Sequence, residues 1–518
     1  MTKQLAAIIS SIASAVMLST SASAQLPSPC RGWNLGNTLE PPSGEGTWGP
    51  AATQSLINAV ADAGFNTVRI PCSWNSNANQ STYAINATYM ARVKQVVDWC
   101  YARNLHVVIN CHWDNGWLEN NITDTVNPTI NAKMQSYWTQ IATTFAGYDN
   151  RLLFAGANEP NCDTAAEWAT LRSYYNTFIS AVRSTGGNNA SRWLVVQGPN
   201  TNIDLSDQLV SSLPNDSTSG RLAFEVHFYD PYQWTIMPQD ESWGKTFYFW
   251  GQGYHHATRT DRNASWGEES YVDSQFQKMA NKFGNQGVPV IIGEFMAGKR
   301  SGLADLTGAD FDLHVASRTY FHKYVVDAAN SRGLKPIYWD IAGVMFNWST
   351  GALVDSANKN ALTGGAALPP PGGGAIANGT YQIVSRHSGK AMEAAGLGTA
   401  NGTQLQQWGY WGGSSQKWQV TKNSDNTYRI LGVQSGKSVD INGWSSANGT
   451  KVQLWDHSGG NNQKFAITAT SGGYYRITPQ NATGSCLDVS GYSSADGAAV
   501  HLWGWGGAAN QQWAFQAP

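Results

Sequence analysis

Eight short apolar runs alternate with amphipathic stretches between Cys30 and Leu362, and that alternation leaves few folds open to the chain. The runs are Arg31–Asn37, Thr67–Pro71, His106–His112, Leu152–Asn158, Arg192–Gly198, Leu222–Tyr229, Pro289–Phe295 and Lys335–Asp340. Between them, Met90, Val93 and Val97 recur at helical spacing. So do Met134, Trp138, Ile141 and Phe145, and then Trp168, Leu171, Tyr175, Phe178 and Val182. Gly64 and Gly186 stand where helices would stop. Strands apolar along their whole length are covered on both faces, as in parallel sheets flanked by helices. Eight such alternations predict a (β/α)8 barrel. An open doubly wound sheet is the competitor, but no GxGxxG follows the first run.

After Gly364–Ala377 (GGAALPPPGGGAIA), a linker by composition, the texture changes to short, closely spaced segments rich in Gly, Asn, Ser and Trp. This region is threefold. Glu393, Asp440 and Asp488 are 47 and 48 residues apart, as are Trp408, Trp455 and Trp503, and again Gln416, Gln463 and Gln511. Each unit closes on Gln-x-aromatic, at Trp418, Phe465 and Trp513. Units this small cannot bury a core alone, so three should close on a common axis as an all-β domain.

A chain of 518 residues is too long for one ordinary core. A net charge of −2 with 13% charged residues argues against a nucleic-acid partner. Against that low charge stand 23 Trp and 21 Tyr, more flat aromatic surface than a core needs, which suits a protein that handles sugar rings. At the N-terminus Lys3, the apolar run Leu5–Leu18 and Ala22-Ser23-Ala24 read as an export signal cleaved near Ala24-Gln25, too short for a membrane span. The expected layout is therefore a signal over 1–24, a barrel over 25–363, a linker over 364–377 and the triplicate over 378–518, in a secreted protein with no membrane partner. Cys30, Cys72, Cys100, Cys111, Cys162 and Cys486 match no metal motif, and no bridge is assigned. Cys72, Cys100 and Cys111 read as small buried hydrophobes.

Two strands end on a glutamate: LLFAGANEP on Glu159 and PVIIGEF on Glu294. An ionised group at the end of a buried strand must be solvated or paired. Barrel strands collect their C-terminal ends at one face, where Arg69, His112, Asn158, His227, Tyr229 and Trp339 would join the two glutamates. Taken singly, each has a structural role open to it: an ion-pair partner, a core histidine or indole, a helix cap. Together at one end they compose a glycoside-cleaving site, in which one carboxylic acid protonates the leaving oxygen while a second carboxylate attacks the anomeric carbon. Asn158 would hold the sugar 2-hydroxyl, Tyr229 and Arg69 would keep Glu294 ionised, and His227 would tune Glu159.

The segments RGWNLGNTLE, NTVRIP, NCHWD, NEP, VHFYDP, GEF and YWD resemble glycoside hydrolase family 5 in order and content. The resemblance implies a retaining double displacement with Glu159 as acid/base and Glu294 as nucleophile. It also implies a polar shell of Arg69, His112, Asn158, His227 and Tyr229, a sugar platform at Trp339, and no metal or organic cofactor. NLGNTLE most resembles the endo-β-1,4-glucanases, while GEFMAGK departs from the commoner GEFG ending. A mixed-linkage β-glucanase and a β-mannanase stay open as alternatives on the same scaffold. A lectin whose barrel is only scaffold is disfavoured, since no member of the polar set is missing. The stretch Asp230–Ser270, with Tyr232, Trp234, Trp243, Tyr248, Trp250, Trp266, His255 and His256, is expected to wall the cleft.

The triplicate resembles the ricin-B-type β-trefoil, which implies sugar binding by an acid, an aromatic and a polar pair in each unit. Carried over, the second unit offers Asp440, Gln453, Trp455, Asn462 and Gln463, and the third Asp488, His501, Trp503, Asn510 and Gln511. The first has Glu393 for Asp and Ser415 for Asn. Trp418, Phe465 and Trp513 are expected in the core. The partner is then a plant cell-wall polysaccharide, bound by a monomer.

Overall fold

The computed structural model describes residues 26–365, 376–470 and 474–518. The export signal over 1–24 and residues 366–375 of the linker lie outside them. Eight parallel strands close on themselves in chain order: β1 (Gly32–Leu35), β2 (Thr67–Ile70), β3 (His106–Asn110), β4 (Leu152–Ala155), β5 (Leu194–Gln197), β6 (Leu222–Phe228), β7 (Val290–Phe295) and β8 (Lys335–Asp340). Most strands are shorter than their apolar runs, because the last residues leave the ladder and turn into loops over the C-terminal face. The connecting helices are α1 (Gln54–Asp62), α2 (Ala87–Ala102), α3 (Pro128–Thr144), α4 (Ala165–Ser184), α5 (Ile203–Leu209), α6 (Tyr232–Thr235), α7 (Glu269–Lys282), α8 (Gly308–Ser331) and α9 (Ser356–Leu362).

Local chemistry starts these helices. Thr53, Asn86, Asn127 and Asn202 each accept a first-turn backbone N–H, and Thr164 forms a reciprocal capping box with Glu167. The main core lies between strands and helices, with Trp33, Trp74, Trp138 and Trp168 among its largest members. Inside the barrel, Val108, Leu153, Val195, Ala223, Ile291 and Ile337 pack together with Leu26 and Trp193. All six cysteines are buried and unpaired. Among the described residues, no helix is long and apolar enough to cross a membrane.

Twelve antiparallel strands, from Gly379–Ser385 to Trp513–Gln516, form the second region. Trp418, Phe465 and Trp513 are fully buried in its core, as the repeat predicts. Gln404 marks the common axis. Its Nε2 donates to the carbonyls of Leu405 (2.7 Å), Val452 (3.1 Å) and Val500 (2.8 Å), which are equivalent positions of the three units. Together these features make a β-trefoil. Tyr474, on the trefoil, packs against the small barrel cluster of Tyr254 and Ala316.

Candidate active site

Arg69 is the hub of the C-terminal face. It is the third residue of β2, fully buried, and lies in register with Asn34 of β1. Its Nη1 donates to Glu294 Oε1 (2.9 Å) and Asn34 Oδ1 (3.1 Å); its Nη2 donates to Asn158 Oδ1 (2.7 Å) and pairs with Glu225 Oε1 (3.1 Å). Tyr229 Oη donates to Glu294 Oε2 (2.8 Å). Both oxygens of Glu294 are therefore held.

Glu294 reaches this point through an irregularity. The register of β6 and β7 shifts between Val226 and His227, so that His227 faces Glu294 and Gly293 is passed over. A bulge of this kind re-aims a side chain beside a site. Gly293 is needed there, since a Cβ on it would come within 1.9 Å of Glu225 Oε1.

His227 bridges the carboxylates. Nδ1 lies 2.7 Å from Glu159 Oε1 and Nε2 lies 3.2 Å from Glu225 Oε1. Burial alone would lower its pKa, but Glu294, Glu159 and Glu225 outweigh burial and push it up to about 10. At neutral pH it is an imidazolium with both N–H groups donating. A folded-state pKa above the ordinary 6.5 means its contribution to stability is full below pH 6.5 and is lost as pH rises through about 10. The stability gap between wild type and His227→Gln should therefore narrow steadily across that window in urea titrations. A gap constant from pH 6 to 10 would show that His227 is not charged.

Burial raises Glu294 above the ordinary glutamate value, with Glu159 adding to the shift and His227 and Arg69 opposing it. For Glu159, burial acts upward, but the hydrogen bond and charge of His227 outweigh it and hold the group down. An oxygen of Glu159, an oxygen of Glu294 and a ring nitrogen of His227 all lie within 4.8 Å of one another. Such a triplet has the spacing of metal ligands. Here the oxygens already accept bonds from His227, Arg69 and Tyr229, and the guanidinium would repel a cation, so the donor set does not suit a metal ion.

His112 lies next to this cluster. Burial, with Arg69 and His227 adding to it, holds its pKa well below 6.5, so its ring is neutral. It is parallel to Trp339, with centroids 5.8 Å apart and planes 8° apart. Gly36 admits that indole, since a Cβ there would lie 2.9 Å from Trp339 Cζ2. The eight strand-end residues read from the sequence thus converge on one face.

Residues 33–343 match the family described as Cellulase (glycosyl hydrolase family 5). The chain belongs to glycosyl hydrolase family 5. Endoglucanase A of Paenibacillus barcinonensis is 35% identical over 364 residues, covering 64% of this chain and 84% of that protein. The xyloglucan-specific endo-beta-1,4-glucanase of Bacteroides ovatus is 34% identical, covering 64% and 68%. Among solved structures, a family 5 xyloglucan-specific beta-1,4-glucanase from a ruminal metagenomic library, in complex with XXLG, superposes with a TM-score of 0.58 at 40% identity, covering 64% of this chain and 92% of that one. Residues 373–455 match the ricin-type beta-trefoil lectin domain-like family, and 426–518 match the ricin-type beta-trefoil lectin domain.

Three carboxylates of this family-5 site went unread in the sequence. Glu225 is fully buried between Arg69, His227 and Gln197, whose Nε2 donates to it at 2.7 Å. Its signal was present, as an acid two residues before His227 on the same face of the apolar β6. Glu119 accepts the backbone N–H of Glu159 (2.7 Å), and burial pushes it up to about 8. It opens a single 3-10 turn, Glu119–Asn121, too short to leave a periodicity to read. Glu40 accepts the N–H groups of Asn37 and Thr38 and so closes the NTLE turn; burial pushes it up to about 7.

The expectation for Asp230–Ser270 needs correction. Trp234 and Trp250 are buried in the main barrel core against Phe321 of α8, and Tyr248 packs with Phe249 and Leu306, so these rings do not wall the cleft. His255 pairs with Glu268 and His256 with Asp310, which ties the insert down. Only Tyr232, Trp243 and Trp266 of the named aromatics are exposed.

In the trefoil, Asp440 is buried and holds Gln453 Nε2 (3.1 Å), Asn462 Nδ2 (2.7 Å) and Gln463 Nε2 (2.9 Å). Asp488 holds His501 Nε2 (2.9 Å) and Asn510 Nδ2 (3.0 Å). Gln511 instead donates to Gly504 O (2.9 Å). Trp455 and Trp503 are exposed beside these clusters, and His501 stacks on Trp503 with centroids 5.2 Å apart. The two carboxylates are thus buried at the floors of their clusters, with the exposed indoles beside them.

Proposed function

We propose that this chain is a secreted, endo-acting β-1,4-glucanase that works by retaining double displacement as a monomer. The observation that carries the mechanism is the placing of two carboxylates within 4.8 Å of each other across the barrel mouth, bridged by His227. That gap suits a nucleophile and an acid/base at about 5–5.5 Å, and is too small for the water an inverting enzyme seats between carboxyls about 6.5–9.5 Å apart. In the first step Glu294 attacks the anomeric carbon and the bond to the leaving oxygen breaks as Glu159 protonates it. Glu159 enters this step as its minor acid form, because the hydrogen bond from His227 Nδ1, 2.7 Å away, holds its proton affinity down at rest. In the second step Glu159 takes a proton from water, the oxygen attacks the anomeric carbon, and the bond to Glu294 breaks. Trp339 lies under the sugar, and Asn158, fixed by Arg69, turns its amide nitrogen to the 2-hydroxyl.

The names of the relatives support a β-1,4-glucan backbone, and two of them favour xyloglucan in particular. Residues 1–24 support export, and the trefoil keeps the enzyme on polysaccharide. Release of reducing ends from carboxymethylcellulose, barley β-glucan, xyloglucan and glucomannan tests the substrate. We expect activity on the first three, with xyloglucan highest. Activity on glucomannan alone would replace the glucanase reading with a mannanase.

A further inference from the structure

Trp444 occupies a position where an indole is costly. It ends the turn Asn442–Trp444 at φ +57°, a region that favours glycine, and its side chain is 57% exposed. The equivalent Leu397 (φ +56°) and Tyr492 (φ +52°) share the backbone, so the turn belongs to the repeat while the side chain does not. Nothing in the turn itself calls for a large aromatic group.

The ring's surroundings supply a reason. A Cβ on Gly460 would lie 2.6 Å from Trp444 Cζ2 and 2.8 Å from Asn462 Oδ1, so indole edge and amide meet at one point. Asn462 is the residue whose Nδ2 holds Asp440, while its own Oδ1 is buried without a hydrogen-bond partner. An unpaired buried acceptor is expensive and calls for a donor. Trp455, 44% exposed, pairs in register with Ser438 on the strand that carries Asp440.

The third unit shares the unpaired acceptor, at Asn510 Oδ1, but in neither of the other units does the turn set an exposed indole beside it. In the first, the place above Gly413 is filled by the Trp411 ring, whose Nε1 donates to Glu393 (3.0 Å), so the protein itself occupies that carboxylate. In the third, Ala508 replaces the glycine and Tyr492 turns to His387, with centroids 3.8 Å apart.

We propose that Trp444 is a second aromatic wall of a glycan-binding site in the middle unit, and that this unit carries most of the trefoil's affinity for β-glycan chains. Pyranose rings present C–H faces to Trp444 and Trp455, and a ring hydroxyl donates to Asn462 Oδ1. Two indoles favour a chain over a single sugar. The proposal rests on the trefoil's being a β-glycan binder, and its test separates the two.

The test is affinity electrophoresis of the full chain, made inactive by Glu294→Gln, in gels containing barley β-glucan, with an Asp440→Ala, Asp488→Ala double variant reporting retention by the barrel alone. Trp444→Ala and Trp455→Ala should each weaken trefoil binding roughly tenfold, the scale of one lost aromatic contact, and Trp503→Ala less than threefold. Trp444→Gly separates binding from folding: glycine accepts the backbone, so its melting temperature should equal or exceed that of the parent while binding is lost. Parent-like binding by Trp444→Ala beside loss in Trp455→Ala overturns the role of Trp444. A drop in melting temperature for both Trp444 variants makes it scaffold and overturns the proposal too. Retention of the parent no greater than that of the double variant overturns the β-glycan reading itself.

Discussion

Replacing Glu294 with glycine should lower turnover by about 10⁴-fold or more, and added azide should restore part of it as the α-glycosyl azide. In the proposed mechanism the carboxylate supplies both the attacking atom and the charge that meets the developing cation, and removing a group that forms the covalent bond costs more than removing a binding contact. Azide fits the space left and attacks from the same side, which fixes the anomer. Glu159→Ala should behave differently. With 2,4-dinitrophenyl β-cellobioside, whose leaving group needs no proton, it should show a rapid burst followed by slow turnover. Azide should then attack the glycosyl-enzyme from the opposite side and give the β-azide. Product NMR reads the anomers directly. The same anomer from both variants, or turnover by Glu294→Gly within tenfold of wild type, would reverse or remove the assigned roles.

Arg69→Met should be the most destabilising single change in the site, by about 3–5 kcal/mol in the barrel's urea transition. The guanidinium is fully buried and is the charge partner of both Glu225 and Glu294. Taking it away leaves those carboxylates desolvated beside each other, with only His227 to offset them. If uncompensated charge is the cause, Arg69→Met combined with Glu225→Gln should regain part of the loss, although Gln is no better packed than Glu. A double variant no more stable than Arg69→Met would assign the loss to packing. Activity should stay low in both, because Glu294 has lost the donor that holds Oε1.

Much of the site was legible because residue type and strand-end position are local properties. Arg69, His112, Asn158, Glu159, His227, Tyr229, Glu294 and Trp339 all close apolar runs, and a barrel gathers such ends at one face. Glu225 was legible in principle but hidden by its place within an apolar run. Glu119 was not, since its contact with the Glu159 N–H joins two loops forty residues apart. The aromatic insert misled for a related reason. Composition marks it as rich in Trp and Tyr, but which rings turn inward depends on how the loop folds back on α8, where Ser317 Oγ meets the Trp250 N–H (2.7 Å).

Periodicity in the chain determined the barrel, the trefoil and the set of residues that could do chemistry, because apolar spacing decides which face of an element is buried. Tertiary structure alone decided how those residues act together. The shift at Val226/His227 that brings Glu294 opposite His227, the use of Arg69 by two carboxylates, and the meeting of Trp444 with Gly460 all depend on register and loop closure. Those are properties of pairs of distant segments, and the free energy that selects them exists only once both segments are packed.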